Sequence, residues 1–224
     1  MLALFPQKSY SQKGITLIEL LLALIIGLIT IGAIVALFVL ATTQSRKTIE
    51  IARLTSSLQL VLSSLERDLQ RAGYWAQAET SAANPFMVTG STDLTVNAAN
   101  TCVLITYDAN SDGLLPPIDA TQDDERYGYR LQEGAIQFRP AGAPFECTAA
   151  QSSWTNLTDP KFITITAFSV VLNTETINLA GGTGTQNIQV RFVEASLTGQ
   201  LVKDSAITKT LTEKIKVYND KYES

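Results

Sequence analysis

The chain has 224 residues, 46% of them hydrophobic, and its 17 basic against 21 acidic residues leave a formal charge of −4. That balance argues against a nucleic-acid-binding surface, which needs a surplus of Lys and Arg to meet phosphates. Histidine is absent, which removes His-based triads, His metal sites and a histidine pH switch together.

Residues 1–14 carry Lys8 and Lys13 and no acid, the pattern of a cytoplasmic n-region. Residues 15–40 then form a 26-residue run whose one charge is Glu19. As a helix the run would be about 39 Å long at ~1.5 Å per residue, more than a ~30 Å hydrocarbon core requires. A secretory signal places its small residue after the apolar segment; here Gly14 precedes it. A charge in a membrane span costs roughly 2.5–3.5 kcal/mol on insertion scales, so Glu19 marks a partner or a function, or else snorkels to the headgroups from the end of the span. Charge alone leaves the orientation open, because Arg46, Lys47 and Arg53 follow the span and compete with Lys8 and Lys13.

Gly14-Ile15-Thr16-Leu17-Ile18-Glu19-Leu20 resembles the prepilin signature of type IV pilins and type II secretion pseudopilins. The resemblance implies cleavage between Gly14 and Ile15 by a prepilin peptidase, N-methylation of Ile15 and retention of the apolar helix. It also implies that Glu19 pairs with the positive N-terminus of a neighbouring subunit during assembly, and it fixes the orientation as a single pass of the bacterial inner membrane with a periplasmic head. Loss of 14 residues would leave 210, with 15 basic and 21 acidic residues and a formal charge of −6.

Beyond Leu40 the helical pattern continues to Gly73 but becomes one-sided. Ile51, Leu54, Leu58, Leu62, Leu65, Leu69 and Ala72 recur at three- and four-residue steps, a stripe suited to packing on a sheet. Gly73 is a natural stop after it. The expected helix therefore runs over about 15–72, with Gly27 and Gly32 its soft points. The run Leu65-Glu66-Arg67-Asp68-Leu69-Gln70-Arg71-Ala72-Gly73-Tyr74-Trp75, together with Leu24-Ile25-Ile26-Gly27-Leu28, resembles the minor pilins of the PilW type. That implies a pilin fold and a part in initiating or capping a type IV pilus, with other minor and major pilins and a tip adhesin as partners and no catalysis.

Residues 76–85 are small and polar and end at Pro85, an αβ connection. Strand-like runs follow at 86–89, 93–96, 102–107, 127–131, 135–139, 162–172, 187–196 and 206–218; Ile188, Val190 and Phe192 alternate with Gln189 and Arg191, as in a sheet with one buried face. The fold class is α+β: a long N-terminal helix covering an antiparallel sheet. The expected division is a leader at 1–14, a membrane or filament-core half-helix at 15–40, an amphipathic half at 41–75 and a β-rich periplasmic head at 76–224. Cys102 and Cys147 are the two cysteines. In an oxidising periplasm they are expected to form a disulfide; the alternative is two buried thiols.

Asp108-Ala109-Asn110-Ser111-Asp112-Gly113 follows an apolar strand and spaces its oxygens as the first half of an EF-hand loop does. Asp108, Asn110, Asp112, the Leu114 carbonyl and Asp119 are thus candidate calcium ligands, with Asp123, Asp124 and Glu125 as alternative closing ligands. The alternative is a turn that binds nothing, since Asp, Asn and Gly favour turns on their own. The Gly-rich stretch 180–185 lacks the spaced lysine of a phosphate loop and reads as a hairpin loop. Tyr74, Trp75, Trp154 and the Tyr127/Tyr129 pair could line a sugar or partner face, but core is the commoner use of such residues. Acid pairs such as Asp123/Asp124 read as solvated charge. Two other functions remain open on sequence: a type II secretion pseudopilin of the J type, and a membrane-anchored periplasmic binding module or hydrolase.

Overall fold

No proline falls between Thr16 and Gly73, and a computed structural model of the chain places one helix, α1, over Leu17–Arg71. The structure describes residues 14–79, 83–86, 93–119, 122–179 and 186–223. These fall into two compact units divided between Ile49 and Glu50. In the first unit α1 exposes nearly every apolar side chain, and it is long and apolar enough there to cross a membrane. Gly27 and Gly32 do not interrupt it.

In the second unit α1 becomes amphipathic. Leu54, Leu58, Val61, Leu62, Leu65 and Leu69 are buried, while Ile51, included in the expected stripe, stays 44% exposed. Periodicity identifies a face but not where its cover begins, and burial starts one turn after Ile51. The helix stops at Gly73, whose φ is +76° and whose N–H donates to the Thr106 carbonyl at 2.8 Å. A Cβ at this position would fall 2.0 Å from Asp93 Oδ2, so glycine is required twice over. The side-chain amide of Asn219 caps the helix, donating to the carbonyls of Arg71 (3.2 Å) and Ala72 (2.9 Å), which α1 leaves without intrahelical partners.

The strands form two antiparallel sheets rather than one. The first is a meander in chain order: β1 (Leu94–Val96), β2 (Cys102–Thr106), β3 (Arg126–Gln132), β4 (Ala135–Phe138) and β5 (Thr155–Asn156). The second comprises β6 (Ile163–Asn178), β7 (Asn187–Leu201) and β8 (Thr208–Glu223). These strands run well past the expected ends, because residues 173–178 are exposed on both faces and so show no alternation, yet β6 stays paired with β7 out to Asn178 and Asn187. The strand expected at 86–89 lies, beyond Phe86, outside the described residues, as do Lys8, Lys13 and the Gly-rich stretch 180–185.

One core joins the helix to both sheets: Leu58, Leu62 and Leu65 meet Val103, Ile105 and Ile136 from the first, and Val170, Val193, Ala195, Leu197 and Ile215 from the second. The helix packs tightly on β7 at Gly199, where an added Cβ would sit 3.0 Å from Leu58 Cδ2. A satellite cluster of Cys102, Leu104, Ala143, Ala149 and Trp154 lies beneath the β4–β5 connection.

Candidate functional site

Gly14 and Ile15 lie ahead of α1, both exposed. The Thr16 carbonyl accepts from Glu19 N at 3.1 Å and Leu20 N at 3.2 Å, and Thr16 Oγ1 lies 3.4 Å from Glu19 N. Thr16 therefore occupies the N-cap and Glu19 the third helical position of a Thr-x-x-Glu capping sequence. The Glu19 carboxylate is in the first turn and exposed, at the end where the helix dipole favours negative charge. Deeper in the apolar run, the Thr30 hydroxyl donates to the carbonyls of Gly27 (2.8 Å) and Ile26 (3.0 Å), and Thr42 and Thr43 do the same to Val39 and Leu40. These polar groups are thus satisfied within the helix, as a bilayer or a packed bundle requires.

In the head, the last turns of α1 carry the one buried charge of its stripe. Asp68 accepts from the Tyr107 hydroxyl at 3.0 Å and the Tyr129 hydroxyl at 2.6 Å, tying helix to sheet. Burial pushes its carboxyl above the ordinary range, against the lowering effect of the two hydroxyls. Burial and the neighbouring Asp68 charge push both tyrosines up in turn. Asp93, just before β1, has the opposite balance. Burial would raise it, but Arg191 holds it bidentately at 2.6 and 2.8 Å, Lys221 approaches to 3.2 Å, and its pKa is lowered.

Cys102 and Cys147 form a disulfide across 45 residues, with Cα atoms 6.0 Å apart. It pins the β4–β5 connection to β2. Arg130 holds the same connection by donating to the carbonyls of Cys147 (3.1 Å), Ala149 (2.7 Å) and Ala150 (3.2 Å), with its guanidinium 4.4 Å from the Trp154 ring centre.

The acidic loop after β2 takes a different form from the expected ligand set. Asp108 is buried, and its Oδ2 accepts from Ala76 N and Gly113 N, each at 3.0 Å. Asn110 and Asp112 engage each other, Asn110 Oδ1 accepting from Asp112 N and Asp112 Oδ2 accepting from the Asn110 amide, both at 2.9 Å. Leu114 N donates to Asp112 Oδ1 at 2.8 Å. Asp119 does not join these acids, because Pro116 and Pro117 carry the chain away to a hollow it shares with residues 142–146. The carboxylate that does join is Glu125: one oxygen each from Asp108, Asp112 and Glu125 lie within 4.8 Å of one another. Burial pushes the Glu125 carboxyl up, and the charges of Asp108 and Asp112 push the same way.

Asp124 corrects the reading of the 123/124 pair as solvated charge. Its side chain is fully buried between Arg139 at 2.8 Å and Arg126 at 3.2 Å, so it is not a free closing ligand. Asp123 is exposed. Of the aromatic candidates, Trp75, Trp154 and Tyr129 are buried, and Tyr74 stays 40% exposed. The pairings of Asp68 and Asp93 had no signal in the sequence: Asp68 stands in the Leu65–Trp75 run, but its tyrosine partners are 39 and 61 residues away, and Asp93 and Arg191 are 98 residues apart.

A family model described as prepilin peptidase-dependent protein B matches residues 47–217. No curated protein and no solved structure matches the chain.

Proposed function

Because the chain belongs to the prepilin peptidase-dependent protein B family, we propose that it is a minor pilin of the PilW type that takes part in assembling a type IV pilus and catalyses no reaction itself. The observation that carries this reading is Gly14 placed directly before an exposed apolar helix with Glu19 in its first turn. The family match begins at residue 47, so the N-terminal motif supports the reading independently of it.

A prepilin peptidase hydrolyses the Gly14–Ile15 amide, leaving a carboxylate on the leader and a free amine on Ile15, which is then N-methylated. The helix holds the protein in the inner membrane until assembly. There it exchanges lipid for other pilin helices, and the Glu19 carboxylate of one subunit meets the N-terminal ammonium of its neighbour. Two charges that are each costly in hydrocarbon become tolerable as a hydrogen-bonded pair, which favours the register that pairs them. Ile49, Ile51 and Leu60, exposed further along α1, offer additional apolar surface to neighbouring helices.

The test compares Gly14→Val with Glu19→Ala in the producing bacterium. The first should accumulate uncut protein. The second should be cut and stable but scarce in sheared pili, with fewer pili per cell. Normal pilus number in the Glu19→Ala strain would count decisively against the assembly role given to that carboxylate.

A further inference from the structure

Three carboxylates converge in the head, and among the described residues no cation is paired to them. Asp108 and Glu125 are each 2% exposed, and among the described residues no Lys or Arg forms an ion pair with them or with Asp112. Each buried carboxylate commits one oxygen to backbone amides. Asp108 Oδ2 takes Ala76 N and Gly113 N, and Glu125 Oε1 takes Ala109 N at 2.5 Å and Asn110 N at 3.2 Å. The other oxygen of each, Asp108 Oδ1 and Glu125 Oε2, is buried without a hydrogen-bond partner. An unpaired buried polar atom is costly, more so when charged, and two on neighbouring carboxylates call for a shared explanation.

We infer that Asp108, Asp112 and Glu125 hold a calcium ion. The donors are all oxygens, which selects a hard cation. Calcium binds oxygens at about 2.3–2.6 Å, so two oxygens on one ion can be separated by up to about 5 Å; the three acids, within 4.8 Å of each other, fall inside that span. Calcium also tolerates irregular shells completed by carbonyls and water, whereas magnesium demands a tighter octahedron. The ion joins the turn at 108–113 to the start of β3, and through the Ala76 N–H and the Trp75 indole, which donates to the Gly113 carbonyl at 3.2 Å, to the segment that follows α1. The inference rests on the head alone and stands or falls separately from the assembly role.

The test uses the full chain in detergent micelles, stripped with chelator. Terbium, an oxygen-seeking stand-in for calcium, should give luminescence sensitised by Trp75 that saturates and is displaced by calcium. With a Kd on the order of 10⁻⁴–10⁻³ M, about 5 mM calcium should raise the melting temperature by about 2–9 °C. Both signals should be lost in Glu125→Gln and in Asp112→Asn; the latter alters an exposed side chain and so preserves the fold. Equal melting with calcium and with chelator, signals that survive both substitutions, or an equal response to magnesium would each overturn the assignment.

Discussion

At Asp93, desolvation and ion pairing pull in opposite directions, and pairing wins. The guanidinium of Arg191, with Lys221 behind it, holds the carboxyl below its ordinary value. A carboxylate whose folded pKa is depressed stabilises the fold above its unfolded value and loses that contribution as pH falls through the folded one. Asp93→Asn should therefore destabilise the full chain by about 3–5 kcal/mol at pH 7, since it leaves Arg191 buried without its partner. The deficit should shrink as pH drops below the usual aspartate value of 3.8, which thermal melts of both proteins from neutral pH down to about pH 3 would show. A deficit independent of pH would mean that the side chain matters for its shape and not its charge. Asp68 has the opposite sign: burial raises its carboxyl, so its contribution declines as pH rises through that elevated value. The partners of these residues were invisible in the sequence: Asp68 stands in the Leu65–Trp75 run and Asp93 at the head of a strand-like run, but nothing local marks Tyr107, Tyr129 or Arg191 as what they meet. Gly14 and Glu19 stand out in the sequence because a small residue before an apolar segment and a charge within it both break local rules, and the roles given to them remain the proposal made above.

At the level of elements, the two-faced character of α1 could be read from residue spacing. Leu54, Leu58, Leu62, Leu65 and Leu69 are buried as the stripe implies, and Gly73 ends the helix. The strands were legible as strands where one face is buried and lost where both are wet, as in the outer part of β6. In β7 the alternation pointed to the wrong face, because Arg191, paired with Asp93, is buried in line with Val193 and Ala195 while Ile188, Val190 and Phe192 are half-buried. The partition into two sheets depends on long-range pairing that no local pattern encodes. The EF-hand-like loop shows a related limit: spacing picked out Asp108 and Asp112 and offered Asp119 first, with Asp123, Asp124 and Glu125 as alternatives, and it is the pairing of β2 with β3 that brings Glu125 to them and not Asp119. The disulfide staples an excursion from β4 to β5 that has little secondary structure of its own. Replacing Cys102 and Cys147 together by Ser should cost about 2–4 kcal/mol through the freed 45-residue loop. Limited proteolysis should then cut between residues 140 and 154 before the rest of the head. An unchanged melting temperature and cleavage pattern would show that Arg130 and Trp154 hold the connection unaided.

Taken as a whole, the molecule couples an apolar helix segment exposed along its length to a disulfide-bonded α+β head. An exposed apolar segment of that length needs either lipid or other helices, and the proposed assembly role would use each in turn. Family membership rests on residues 47–217, whereas the proposed assembly chemistry depends on Gly14, Ile15 and Glu19. The most direct measurement is intact and N-terminal peptide mass spectrometry of the protein isolated from membranes of a bacterium that has an active prepilin peptidase. A mature chain of 210 residues beginning at N-methylated Ile15 is the expected result. A chain that keeps residues 1–14, or one cut at another position, would contradict the proposal at its foundation.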